Sequence, residues 1–164
     1  MWFRRKPKAD PSEVARDLRN QAFRVEAATL GLRPTPSRPR VWGVLMETGY
    51  PEGVATLVAF ADGTASLYFS GGGGIIGAGE HAAVREATQA FLDEAEAHVA
   101  GLLPTATTPV PVLGRVRFYL RTFEGALAAE ASEQDLGDDQ HPLSPVFYSG
   151  HIVIAAMREA TNAR

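Results

Sequence analysis

The chain has 164 residues, 45% of them apolar and 21% charged, with a formal net charge of −3. That balance excludes a wholly disordered chain and fits an ordinary globular domain. No run of ~18 apolar residues is present, so no transmembrane segment is expected, and the absence of cysteine excludes disulfides, a thiol nucleophile and a thiolate metal site.

The charge is unevenly divided. Residues 1–40 carry ten Arg and Lys against four Asp and Glu, a net of +6, whereas residues 41–164 carry a net of −9. The sequence divides into a flexible basic arm (1–10), an N-terminal helix (11–33), a Pro-rich spacer (34–40) and an α+β domain (41–164). The arm opens MWFRRKPKADP. Its Arg4-Arg5 pair has no apolar stretch behind it, so a cytoplasmic chain is expected. Trp2 and Phe3 beside Arg4 and Arg5 have the make-up of a weak membrane-surface contact, too short to anchor by itself.

Asp10 is placed as a helix N-cap, Pro11 as the first helical residue and Glu13 in capping-box position. Val14, Leu18, Val25, Ala28 and Leu32 then form one apolar stripe, and Gly31 and Pro34 end the helix. PTPSRPR (34–40) is expected to be extended. Three strands follow: VWGVLMET (41–48), VATLVAFA (54–61) and, after the Asp62-Gly63 hairpin signal, TASLYFS (64–70). The second is apolar on both faces and is placed centrally, covered on both sides. A glycine-rich loop, GGGGIIGAG (71–79), leads to a second helix with Val84, Ala87, Phe91, Ala95, Val99 and Leu102 on its apolar face. After the Pro-rich connection PTATTPVPV (104–112), GRVRFYLR alternates, with Val116, Phe118 and Leu120 inward and Arg115, Arg117, Tyr119 and Arg121 outward. A further strand (126–132) and an acidic loop precede a last helix that opens at Ser144-Pro145 and runs to about Ala160.

The expected fold is therefore α+β: a single domain with a five-stranded, mainly antiparallel sheet, helices packed on it, and the element order α-βββ-α-ββ-α. One face packs on helices and the other is left partly open. In layers this resembles the roadblock and longin-type profilin-like modules. Those place two strands before the middle helix and three after it, and no motif here carries the likeness, so no residue role is transferred.

The candidate sites start with the glycine loop. Gly72, Gly74 and Gly77 satisfy G-x-G-x-x-G between a strand and a helix. Hairpin strands before it, and Glu80 at the helix start, argue against a phosphate there. Ile75 and Ile76 amid glycines mark either a fold-back onto the core or a contact surface. His81 stands at the helix start, where the positive end of the helix favours a neutral ring. The stripe Arg115, Arg117, Tyr119 and Arg121 is either a recognition surface or a set of ion pairs with Glu124 and Glu130. Glu94 and His98 have ligand spacing, but a third ligand is not identified; no metal and no cofactor are assigned, and no catalytic residue. The reading is a non-enzymatic protein–protein interaction or regulatory module, self-associating as a homodimer or binding another protein, with nucleic acid not favoured. The alternative is a small-ligand-binding protein or enzyme with a pocket at the glycine loop and His81.

Overall fold

The computed structural model describes residues 10–162. The chain forms an α+β fold built on one sheet in which all strand pairs are antiparallel. The strands are β1 (Val41–Tyr50), β2 (Gly53–Phe60), β3 (Ala65–Phe69), β4 (Gly74–Ile75), β5 (Leu103–Pro104), β6 (Arg115–Thr122) and β7 (Gly125–Ser132). Their order across the sheet is β4-β3-β2-β1-β6-β7-β5. The five long strands are those expected. The count rises to seven because two-residue strands at both edges add short pairings, Ile75 with Leu67 and Leu103 with Ala128. The helices are α1 (Pro11–Arg24), α2 (Ala82–Ala97), α3 (Glu133–Gly137) and α4 (Ser144–Asn162). The short α3 takes up part of the acidic segment expected to be a loop; Ser132 caps it by accepting from the Asp135 N–H.

The middle strand is β1, with β2 beside it, and both are covered on two faces. Alternation, with a register shift between Val41 and Gly43 that moves Trp42 to the other face, divides their side chains. Val44 and Met46 join Leu57, Phe118 and Leu120 under α2 and α4. Trp42 and Leu45 join Val58, Tyr68 and Tyr119 on the opposite face. The expected face of α2 is the observed one: Val84, Ala87, Phe91 and Ala95 are buried. α4 begins at Ser144, with Pro145 in its first turn, but the buried Ser144 hydroxyl makes no hydrogen bond, so the start stands where expected without the expected cap bond.

The second face is not open, which corrects the expectation. It is covered by α1, by residues 25–32 and by the Pro-rich connection. α1 starts where predicted, with Asp10 accepting from the Ser12 N–H, but ends at Arg24 rather than 33. The Val25 backbone turns extended, and residues 27–31 form turns. The buried side of α1 runs through Ala15 and Ala22, while Val14 remains 41% exposed. Alanine lets the helix axis approach the sheet closely, and that close approach brings polar side chains of the same helix face over the strands.

The spacer 34–40 is folded back rather than a free extended linker. The Thr35 N–H bonds the Arg38 carbonyl. Arg38 reaches the Gln89 side chain, and the Glu96 carboxylate accepts the Arg40 and Val41 N–H groups. The arm residues Trp2, Phe3, Arg4 and Arg5 lie outside the described residues.

Candidate functional site

The glycine loop folds back as a hairpin on β3. Gly74 pairs with Tyr68 there, and a β-carbon on Gly74 would fall 2.1 Å from the Leu67 carbonyl oxygen, so only glycine fits. Ile75 packs against the core under α2. Ile76 is 66% exposed. Gly72 approaches Pro11 of α1, and Gly77, at φ 71°, opens the 3-10 turn Ala78–Glu80. The three glycines of the G-x-G-x-x-G pattern thus serve a hairpin and a turn. His81 is the N-cap position of α2, without a side-chain cap bond. A cleft of about 470 Å³ lies beside Gly71 and Gly72, bounded by Tyr50, Glu52 and Phe69, and His81 does not line it.

Tyr119 and Arg121 of the β6 stripe face α1 rather than solvent, correcting the outward assignment for these two. Tyr119 is fully buried. Its hydroxyl accepts from Arg117 Nε at 2.8 Å and donates to the Pro109 carbonyl. Burial, against the opposing pull of Arg117, holds this phenol above its usual pKa. Arg121 donates to the Ala22 and Val25 carbonyls, 2.6 and 2.7 Å away, and lies over the Trp42 ring. It therefore satisfies the carbonyl end of α1 with a cation, where the helix dipole favours one. Burial lowers the Arg121 pKa and Glu26 opposes that. Arg117 stands 4.0 Å from Glu130, its cross-strand neighbour, so one of the two expected acidic partners is engaged. Arg115 pairs along the backbone with Ser132 and is half-buried.

At the centre of this face is a residue the sequence reading passed over. Glu47 points from β1 toward α1 with no solvent exposure. Arg19, one turn after Ala15 on α1, grips it with two parallel bonds, Nε to Oε2 and Nη2 to Oε1, each 2.7 Å. Thr56, the register partner of Glu47 on β2, donates its hydroxyl to Oε2. Arg19 Nη2 also donates to the Thr108 carbonyl at 2.8 Å, and the guanidinium lies over Phe23. Burial opposes the Arg19 charge, but the bonds and charge of Glu47 outweigh it and raise the Arg19 pKa. The signal was present in the sequence: a single carboxylate inside the apolar run VWGVLMET must find a partner if the strand is covered on both faces.

Thr108 and Pro109 belong to residues 103–113, which form a strap across the sheet. The strap starts as β5 on the β7 edge and continues with the Thr105 N–H on the Ala126 carbonyl. It passes over Tyr119 and Arg19, and ends beside β1 with the Gly114 N–H on the Gly49 carbonyl at 2.9 Å. Pro111 is buried, whereas Leu103, Val110, Val112 and Leu113 are 75%, 53%, 70% and 65% exposed. Residues 99–114 contain no charged side chain.

Two further cavities adjoin these elements. The larger, about 790 Å³, lies between residues 34–40 and the β6–β7 turn. Its threonines are committed to local turns, Thr105 to the Thr107 carbonyl and Thr122 to the Gly125 carbonyl. The other, about 430 Å³, is a groove between α1, the β2–β3 end of the sheet and Val110 of the strap.

The remaining histidines do not converge on a metal. Among the described residues no group of three or more His, Asp or Glu is placed to hold one. His98 Nδ1 is bonded to the Glu94 carbonyl, 2.7 Å away, and stands 3.6 Å from its carboxylate. His141 accepts the Leu143 N–H. Among the described residues no helix is long and apolar enough to cross a membrane. Comparison with protein families, with curated proteins and with solved structures finds no match to this chain.

Proposed function

We propose that the chain is a non-enzymatic interaction module that self-associates through the strap. The observation carrying this reading is the row of four largely exposed aliphatic side chains, Leu103, Val110, Val112 and Leu113, on a segment without charges. Exposed apolar patches of this kind mark contact surfaces more often than accidental exposure. The strap is also held in place. Its backbone is bonded to β7, Arg19, Tyr119 and Gly49, so little conformational entropy is lost when a partner covers it. Ile76 remains an exposed apolar residue on the glycine loop, at the opposite edge of the sheet. Ile75, packed on the core, and Tyr119 and Arg121, fastened under α1, lie outside the proposed surface.

The test is solution mass by light scattering on the full chain and on Val112→Ser/Leu113→Ser. The expected result is a dimer that the double substitution converts to a monomer with native circular dichroism, its melting temperature lowered only by the lost dimer linkage and no longer dependent on protein concentration. A monomeric full chain at the highest attainable concentration, or a variant as dimeric as the parent, overturns the reading.

A further inference from the structure

α1 lays a polar face against the sheet where an apolar one is the rule. Around the groove of about 430 Å³, that face presents Arg16, Arg19 and Asn20 opposite Tyr68, with Val54 and Val110 closing the sides. Arg19 Nε and Nη2 are committed to Glu47 and Thr108, while Nη1 makes no hydrogen bond to another described residue. The same holds for the Arg16 guanidinium, the Asn20 amide and the Tyr68 hydroxyl. Tyr68 is 9% exposed and lines the groove.

The charge balance favours an anion. Glu47 is already neutralised by Arg19 and capped by Thr56, while Arg16, whose charge also acts on Asp10 at the start of α1, forms no ion pair within 4 Å among the described residues and offers its guanidinium to the groove. Ala15, Val54 and Val110 supply an apolar lining. The volume falls within the range of small-molecule pockets, roughly 300–1,000 Å³. We infer that this groove binds a small organic anion, its anionic head on Arg16 and Arg19 Nη1, its apolar body against Ala15, Val54 and Val110, and Tyr68 and Asn20 fixing its orientation. The site is independent of the strap-mediated self-association, with which it shares only Val110.

The probe is 2-naphthoate, titrated into the full chain and followed by backbone amide NMR. Its neutral isostere 2-naphthamide and inorganic phosphate serve as the two controls. For a ligand of this size a Kd of about 1 mM or tighter is expected, with shifts concentrated at residues 12–20 and 68–70. Arg16→Gln, which removes no ion pair among the described residues, weakens naphthoate about tenfold, the worth of one charge-assisted bond. Tyr68→Phe and Asn20→Ala provide the same test should Arg16→Gln fold poorly. Naphthamide binding as well as naphthoate overturns the anionic half of the proposal, and phosphate binding more tightly overturns the apolar half. Absence of shifts at these residues, or shifts unaffected by all three substitutions, overturns the site.

Discussion

Replacing Arg19 by Met isolates the most consequential contact on the α1 face. The substitution removes both 2.7 Å bonds to Glu47 and leaves a carboxylate with no solvent exposure and a single hydroxyl donor, Thr56. Stranding a buried charge in this way costs about 3–5 kcal/mol. At about 2–4 °C per kcal/mol for a chain of this length, the melting temperature falls by about 10 °C. Glu47→Leu costs less, about 1–2 kcal/mol, because the freed Arg19, 16% exposed, can turn its head to water while its stem stays packed. The double variant Arg19→Met/Glu47→Leu removes both charges and returns close to the parent stability. Calorimetry and urea denaturation on the four proteins at pH 7 give the coupling energy directly. Added salt leaves the Arg19→Met deficit in place, since a buried pair is poorly screened. A double variant less stable than Arg19→Met alone would refute the argument, because the two side chains would then act independently.

Two further perturbations address the packing of the strap and of α4. A β-carbon on Gly49 would lie 2.1 Å from the Val112 carbonyl oxygen, so Gly49→Ala lifts the strap off β1 at a cost of about 1–3 kcal/mol; faster hydrogen exchange at the Gly114 amide, which donates to Gly49, is the readout, and unchanged exchange counts against the strap's packing. His151 packs edge-on against Phe147, and burial, followed by the charge of Arg158, holds its pKa below the usual 6.5. The fold therefore favours the neutral ring, and the unfolded chain takes up the proton first. His151 makes no pH-dependent difference well above pH 6.5, and it costs stability as the pH falls through 6.5 toward the lower folded value. His151→Gln is expected to lose less stability than the parent between pH 7.5 and 5; equal losses remove His151 as the cause.

Elements governed by local chemistry were legible in the sequence. The Asp62-Gly63 turn, the Ser144-Pro145 helix start and the apolar face of α2 each depend on residues within a few positions of one another, and each stands where expected. What was not legible depends on contacts between distant segments. The alternation in GRVRFYLR separates two faces correctly but cannot say that the second is covered, because the cover, α1, lies nearly a hundred residues earlier. An arginine bonded to helix carbonyls and one facing water look the same in a one-dimensional pattern. The α1 stripe was legible in part: Leu18, Val25 and Leu32 pack against the second core, whereas Val14 and Ala28 stay exposed, and the alanines at 15 and 22, which bury by close approach, are passed over by apolar periodicity weighted by side-chain size. Among the described residues Glu47 is the one fully buried charge, and its position in an apolar strand was itself informative.

The contacts of α1 also set an order of events as the chain is made. Arg19 is 28 residues from Glu47 and 89 from Thr108, and the carbonyl end of the helix waits on Arg121, 99 residues after Ala22. A 14-residue helix is marginal alone in water. It leaves the ribosome before the strands it covers, and its fastenings come in two stages: Glu47 once β1 is made, then Thr108 and Arg121 once the strap and β6 are made. Loop closures of this length delay assembly. Until the second stage is complete, the Trp42, Leu45 and Val58 side of β1 and β2 lies under a helix fastened only through Glu47.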